Sequence, residues 1–296
     1  MRTRELGPLE VSVVGLGCNN FGRRVDVDGT RAVVDGALEV GVTFFDTAES
    51  YGDGRSESFL GEALKGRRDR VVLATKFGGS PAEGRGSRDE IRRALAGSLA
   101  RLQTDYVDLY QHHREDAATP LTETIEALEE LVREGKIRAY GTSNYSPATL
   151  EEAAGLAGEA YVSEQSEYSW LERDAEQELL PTCRRLGLGF IPYFPLASGL
   201  LTGKYRRGEA PPEGTRLHGR EIDGEEHDRI EALEAFAEER GVTVLDVAIG
   251  GLAAQEPVVS VIAGATKPEQ VRANAVAGDW QPSPGDLEAL RQAGPS

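Results

Sequence analysis

A chain of 296 residues with 39% hydrophobic content is long enough to build one large α/β core. Its 50 Asp/Glu against 33 Lys/Arg leave a formal charge of −17, which argues against a broad nucleic-acid or anionic-membrane surface but leaves room for local cations around an anionic ligand. Two cysteines, Cys18 and Cys183, with no C-x-x-C spacing, argue against a disulfide scaffold and for a reducing, cytoplasmic setting.

The N-terminal "MRTRELGPLEVSVVGLG" has no long apolar core of a leader, and no stretch approaches the ~20 apolar residues of a membrane span. From there, β-rich apolar runs alternate with amphipathic segments. The strand candidates are 13–17 (VVGLG), 42–46 (VTFFD), 70–76 (RVVLATK), 106–111 (YVDLYQ), 136–143 (KIRAYGTS), 160–166 (AYVSEQS), 187–193 (GLGFIPY) and 258–264 (VVSVIAG). Between the third and fourth, Ser87 and Glu90 have capping-box spacing ahead of an Ile91, Leu95, Leu99, Leu102 stripe. After the fourth, Leu121, Ile125, Leu128 and Leu131 repeat the pattern and Gly135 ends it. The segment 206–226, rich in Gly, Pro and charge, reads as a long irregular loop before two further helical patterns. Eight strands, each leading into a helix, predict a (β/α)8 barrel in one domain over 1–296, with a doubly wound sheet as the alternative.

In a barrel, Asp46, Lys76 and the pair His112–His113 end the second, third and fourth strands at one rim, with Tyr51 just beyond the second. On residue type alone, a rim ion pair with packed aromatics and a catalytic set stand level. A metal site is disfavoured, because adjacent histidines do not converge on one ion and His218 and His227 lie in or near the loop. As chemistry, an ammonium beside a tyrosine eases proton donation, a carboxylate holds the ammonium, and a histidine orients a carbonyl oxygen. Such a set protonates an oxygen that receives hydride, and amino acids cannot supply hydride, so a reduced nicotinamide is implied.

The stretches "GLGCNNFG", "FFDTAESYGDGRSESFLGEAL", "VVLATKFG", "DYVDLYQHHRED", "GKIRAYGTSNYS", "QSEYSWLERDAE", "PLASGLLTGKY" and "VIAGATKPEQVRAN" resemble the bacterial branch of the aldo-keto reductase family over almost the whole chain. The resemblance implies an α/β (β/α)8 TIM barrel with an N-terminal β-hairpin, supplied by residues 1–12. It also implies carbonyl reduction to alcohols with NADPH/NADP+, NADH being possible, and an extended cofactor without a Rossmann fingerprint. Residue by residue, Asp46, Tyr51, Lys76 and His113 match the catalytic tetrad, with Lys76 lowering the pKa of Tyr51. The family pattern D-L-Y-x-x-H, counted from Asp108, selects His113, and alternation turns His112 to the other side.

By the same resemblance Gly17, Cys18, Asn19 and Asp46 border the cofactor, and Ser143, Asn144 and Gln165 bond the carboxamide. Tyr193 stacks on the nicotinamide. Phe194, Pro195, Leu196, Ser198, Gly199, Leu200 and Lys204 form the loop over the pyrophosphate. Gly264, Thr266, Lys267, Gln270 and Asn274 surround the adenosine and its 2′-phosphate. The chain departs from common family residues at Phe194 (serine in many relatives), Gln270 (arginine) and Ala273 (glutamate); Lys267 tips the choice to NADP. Phe21, Phe77 and Trp170 are expected at an aromatic substrate mouth, with Arg114 or Asn20 as polar contacts. Two other functions compete: an NADP-binding regulatory or scaffold protein of the same fold, and a lyase or isomerase with a Schiff base on Lys76.

Overall fold

The computed structural model describes residues 1–79 and 83–293. An antiparallel hairpin, β1 (Thr3–Leu6) and β2 (Leu9–Ser12), precedes eight parallel strands. These are β3 (Val14–Gly17), β4 (Phe44–Asp46), β5 (Val72–Phe77), β6 (Val107–His112), β7 (Ile137–Ser143), β8 (Tyr161–Glu167), β9 (Gly189–Tyr193) and β10 (Val261–Gly264). They pair in the order β10-β3-β4-β5-β6-β7-β8-β9. The two ends meet just before β10, where Phe190 N donates to Pro257 O at 3.0 Å and Val259 N to Phe190 O at 2.9 Å. The sheet is a (β/α)8 barrel, and the open doubly wound alternative is excluded.

Alternation along the strands makes two cores. Phe44, Ala74, Leu109, Ala139, Val162, Ile191 and Ile262, one from each strand β4 to β10, fill the barrel, and Leu6, Leu9 and Val11 of the hairpin plug its bottom. The other strand face packs against α1 (Val27–Glu39), α2 (Arg55–Ala63), α3 (Arg88–Leu102), α4 (Leu121–Arg133), α5 (Pro147–Leu156), α6 (Leu179–Leu186), α7 (Gly224–Glu239), α8 (Val244–Asp246, running into a π turn over Val247–Gly251) and α9 (Pro268–Ala277). A last helix, α10 (Pro284–Ala293), adds Leu290 to this outer core. Each fully buried Leu, Ile or Phe contributes ~1.5–3 kcal/mol. Among the described residues no helix is long and apolar enough to cross a membrane.

Two local expectations change. Ser87 is the N-cap of α3, but its Oγ donates to Gly84 O at 2.8 Å, while Glu90 is taken by Arg85 and Arg93, so the capping box does not form. A capping box forms instead at Thr243 and Asp246, ahead of α8. The irregular segment ends at Asp223, which caps α7 by accepting from Glu226 N at 2.8 Å.

Gly141 in β7 marks a register shift against β8, and a Cβ there would lie 2.8 Å from Ser163 O, a backbone atom that cannot swing aside. Gly141→Ala is expected to cost ~1–3 kcal/mol, as overpacking does. The check is a urea unfolding curve, with a lower midpoint and an unchanged slope; a midpoint equal to that of the wild type would contradict this packing.

Candidate active site

The alternation that fills the barrel with Phe44, Ala74 and Leu109 puts Asp46, Lys76 and Gln111, two residues further on, into a polar layer above them. Lys76 Nζ donates to Asp46 Oδ2 at 2.5 Å and to Thr47 O at 2.9 Å. Asp46 Oδ1 accepts from Gln165 Nε2 at 3.0 Å and Gln111 Nε2 at 3.2 Å. Lys76 is fully buried, and burial alone would pull its ammonium down. Asp46 and then Tyr51 outweigh that, holding it above the ordinary lysine range. It is a charged amine with its hydrogen bonds committed, which is not the neutral nucleophile a Schiff base requires.

Tyr51 sits on the turn after β4, with Lys76 Nζ 5.2 Å from its ring centre. Burial pushes the phenol up, while the charge and hydrogen bond of Lys76 pull it down. The balance is upward, so the expected lowering by Lys76 is real as an influence but does not win in this state. His113 stands edge-on to Tyr51, ring centres 5.9 Å apart at 79°, and its buried Nδ1 has no partner. Burial, then the charges of Lys76 and Arg114 and the neighbouring His112, push it down to about 3, so the ring is neutral at physiological pH. His112 points the other way: it stacks on Phe77 at 4.7 Å, and its Nδ1 lies 2.7 Å from Tyr145 Oη.

A cavity of ≈ 900 Å³ opens above this layer and runs from Tyr51 and His113 to Lys267 and Asn274. Every residue assigned to the cofactor from the sequence lines it except Leu200, whose side chain is buried in the outer core. Asn144, at φ 60°, is tied down: its Nδ2 donates to His113 O at 3.0 Å and Ser143 Oγ at 2.9 Å, and its Oδ1 accepts from Tyr193 Oη at 2.8 Å. It braces the site as much as it faces it. Gln270 accepts from Thr266 N at 2.7 Å and Thr266 Oγ1 at 3.1 Å, occupying donors that a phosphate would use.

The aromatic mouth differs from expectation. Phe77 and Trp170 belong to the outer core, Phe77 because it alternates with inward Lys76, and Trp170 because its Nε1 donates to Val247 O at 2.8 Å under the π turn. Phe21 is fully buried as well. The aromatic rings on the cavity are Tyr51, Tyr193 and the half-exposed Phe194, while Arg114 and Asn20 line it as expected. Sequence reasoning missed Gln111, although the period of two from Leu109 to His113 marks it as inward. It also missed Arg23, Arg24 and Arg216.

With Arg114, Lys204 and Lys267, these make six cations on the cavity, and among the described residues none has a carboxylate in ion-pair distance. In so acidic a chain that is a selective condition. Amide, hydroxyl and aromatic groups, with unpaired cations from Arg114 beside His113 to Lys267 at the far end, fit a nicotinamide dinucleotide.

Residues 13–294 match the sequence profile described as the Aldo/keto reductase family. The chain belongs to that family. This reductase is 40% identical over 284 residues to an "Uncharacterized oxidoreductase YrpG" of Bacillus subtilis (strain 168), covering 89% of this chain and 86% of that protein. It is 37% identical over 303 residues to a "Probable voltage-gated potassium channel subunit beta" of Oryza sativa subsp. japonica, covering 95% and 92%. Its fold superposes on the aldo-keto reductase AKR11C1 from Bacillus halodurans (holo form) with a TM-score of 0.85 at 33% identity, over 100% of this chain and 97% of that one. Like its family, the reductase is an NAD(P)H-dependent oxidoreductase acting on carbonyls.

The opposed directions of the two histidines give a kinetic test. His113→Ala is expected to lower kcat/KM for an aldehyde at saturating NADPH by about 10²-fold or more, the scale of a positioned proton-transfer group. His112→Ala should stay near wild type at a temperature where it is folded. The larger loss in the His112 variant would contradict the side-chain directions described here.

Proposed function

We propose that this reductase converts aldehydes or ketones to alcohols with NADPH, Tyr51 donating the proton. The observation that carries the reading is the cluster of Asp46, Lys76, Tyr51 and His113 at the end of a cavity whose cations lack carboxylate partners. Bound there, the reduced nicotinamide supplies hydride to the carbonyl carbon. Ser143, Gln165 and Tyr193 would hold its ring, Gln165 through the amide oxygen left when its nitrogen bonds Asp46. Lys204 and Arg216 would face the phosphates, and Thr266 and Lys267 the 2′-phosphate once Gln270 releases Thr266.

Burial keeps Tyr51 a protonated phenol at neutral pH, the form a general acid needs. As its proton leaves for the carbonyl oxygen, the phenolate that develops lies beside the Lys76 ammonium. Attraction that is weak toward the phenol becomes strong toward the anion. Neutral His113 can hydrogen-bond the carbonyl oxygen without adding a second positive charge. Asp46 keeps Lys76 in place and, with its carboxylate saturated by two amides, offers no base to the substrate.

A second reading has its own support. Likeness to proteins named as probable voltage-gated potassium channel beta subunits in rice and Arabidopsis thaliana favours a cofactor-binding subunit that docks on a partner. Turnover of a panel of aldehydes and ketones separates the two, since a docking subunit needs none.

Tyr51→Phe keeps the ring and deletes the acidic oxygen, so carbonyl reduction should fall by about 10²- to 10⁴-fold with NADPH binding retained. Lys76→Met should act in the same direction, at a further cost in stability of about 3–5 kcal/mol, because it strands the buried Asp46. Robust turnover by either variant in single-turnover assays would overturn the proton-transfer role. For the cofactor, Lys267→Ala should weaken NADPH binding by roughly 1.5–3 kcal/mol, the worth of a hydrogen bond to a charged group, and leave NADH almost unchanged. Fluorescence titration reads both, and equal losses would remove Lys267 from 2′-phosphate recognition.

A further inference from the structure

Behind the cofactor-facing ends of β7 and β8 lies a fully buried carboxylate that the mechanism above does not use. In the register of these strands Thr142 pairs with Glu164 and Ser143 with Gln165. Ser143 and Gln165 line the cavity, so the alternate residues Thr142 and Glu164 turn away from it. Glu164 Oε1 accepts from Ser166 Oγ at 2.6 Å and Tyr145 N at 3.2 Å, and Oε2 accepts from Thr142 Oγ1 at 2.6 Å. The backbone N–H of Asn144 faces it as well. These partners bracket the cofactor-facing residues: Thr142 and Tyr145 flank Ser143–Asn144, and Glu164 and Ser166 flank Gln165. Asn144 N in turn donates to Gln165 O at 3.1 Å, joining the two strand ends.

We propose that Glu164 is a positioning residue: from outside the barrel wall its carboxylate sets the backbone that presents Ser143, Asn144 and Gln165 to the nicotinamide. This rests on the reading of those three residues given above. The titratable groups that face it are Tyr145 beyond β7, Tyr161 on β8 and Cys183 on α6, with Tyr193 of β9 on the cavity side of the wall and His112 of β6 one step further through Tyr145. None of these is a cation.

Burial pushes Glu164 up to about 7, while Ser166, Thr142 and the N–H groups of Tyr145 and Asn144 pull it down. Two consequences have opposite signs. Between the ordinary glutamate range and about 7 the folded chain holds a proton that the unfolded chain has lost, so this group subtracts stability as pH rises through that window. The grip on the two strand ends moves the other way. Hydrogen bonds to a carboxylate are stronger than those to a neutral acid. The hydroxyls of Ser166 and Thr142 can turn to accept a proton from Glu164, but the backbone N–H groups can only donate. Cofactor affinity should therefore rise as Glu164 ionises. His112 and His113, held down to about 4 and 3, do not titrate in this range.

The test uses NADH, which lacks the 2′-phosphate that itself titrates near 6. Wild-type NADH affinity, by fluorescence titration from pH 5.5 to 8.5, should rise by roughly 3- to 10-fold with a midpoint near neutrality, the scale of one or two strengthened hydrogen bonds. Glu164→Gln should flatten that profile near its low-pH value. A ligand-free readout accompanies it: the Tyr145 backbone amide resonance of the apoprotein should titrate with the same midpoint in the wild type and stay flat in the variant. Ser166→Ala, which removes a donor to the carboxylate and keeps the titrating group, should move the midpoint upward, and it decides the matter if Glu164→Gln fails to fold. A Glu164→Gln profile identical to wild type, or an unmoved midpoint in Ser166→Ala, overturns the proposal. Gln165→Ala separates the two layers of inference. If it binds NADH as the wild type does, the reading of the cavity fails; if it is impaired while Glu164→Gln is not, the positioning role fails.

Discussion

The Lys76–Asp46 pair is a cation and an anion inside a barrel, each of which costs several kcal/mol to take out of water. Such a pair survives only with close geometry and every remaining polar valence satisfied. Thr47 O, Gln111 and Gln165 meet that demand, so three strands besides β4 are committed to one charge pair. The same pair governs its surroundings. Lys76 opposes the burial shift of Tyr51 and helps to keep His113 neutral. Cys18 is fully buried next to the pair, and burial with Asp46 keeps its thiol well above the ordinary range, so it lines the cavity as an unreactive wall.

Around that fixed centre the electrostatics are arranged by withholding partners. Carboxylates are paired on the outer surface, where Arg88 and Arg92 of α3 meet Glu126 and Glu130 of α4 and Glu134 just beyond it, and Arg207 meets Asp228 and Glu231 of α7. Exposed pairs of this kind add little stability singly. Their consequence here is local: the cavity cations keep their charge for a ligand, in a concave site whose low-dielectric walls focus the field. Net charge and site charge thus have opposite signs in one molecule, and a pI near 4.8 says nothing against binding a polyanion.

Strand periodicity made much of this legible. The barrel follows from eight β-rich runs, because a parallel strand must bury both faces and therefore reads as an unbroken apolar stretch. That Asp46, Lys76 and the histidine pair share one rim follows from strand ends, since all C-terminal ends of a parallel barrel face one side, whereas the choice of Tyr51 and of His113 over His112 comes from the family resemblance. The errors come from not carrying parity far enough. Phe77 follows inward Lys76 and so belongs outside the barrel rather than at the mouth, and Gln111 precedes His113 by one full period and so points inward. Ser87 shows a different limit. A capping box depends on where two side chains turn, and nearby arginines won Glu90. Arg216 lies in a segment with no period at all, so no pattern in the sequence points it inward.

Precision and access are divided between two kinds of structure at the cavity. The end nearest Tyr51 and His113 is carried by the barrel, where Tyr193 bonds Asn144 and Gln165 bonds Asp46 through half-buried and buried hydrogen bonds. The opposite wall is a strap: Arg24 Nη2 donates to Gly214 O at 2.6 Å, and Arg216 Nη2 reaches Asn20 Oδ1 at 3.4 Å. Arg216 also lies over Phe194, whose backbone, like that of Ala197 and Ser198, has a positive φ at a non-glycine residue. One exposed and one half-buried hydrogen bond, each worth about 0.5–1.5 kcal/mol net, tie this wall down less than the buried bonds to Asp46 tie the barrel end. Phe194, Ala197 and Ser198 add strain of order 1 kcal/mol each on this side, as Asn144 does at the barrel end. The firmer hydrogen bonding thus lies at the barrel end, where the proposed proton transfer from Tyr51 would need its acceptor held in position.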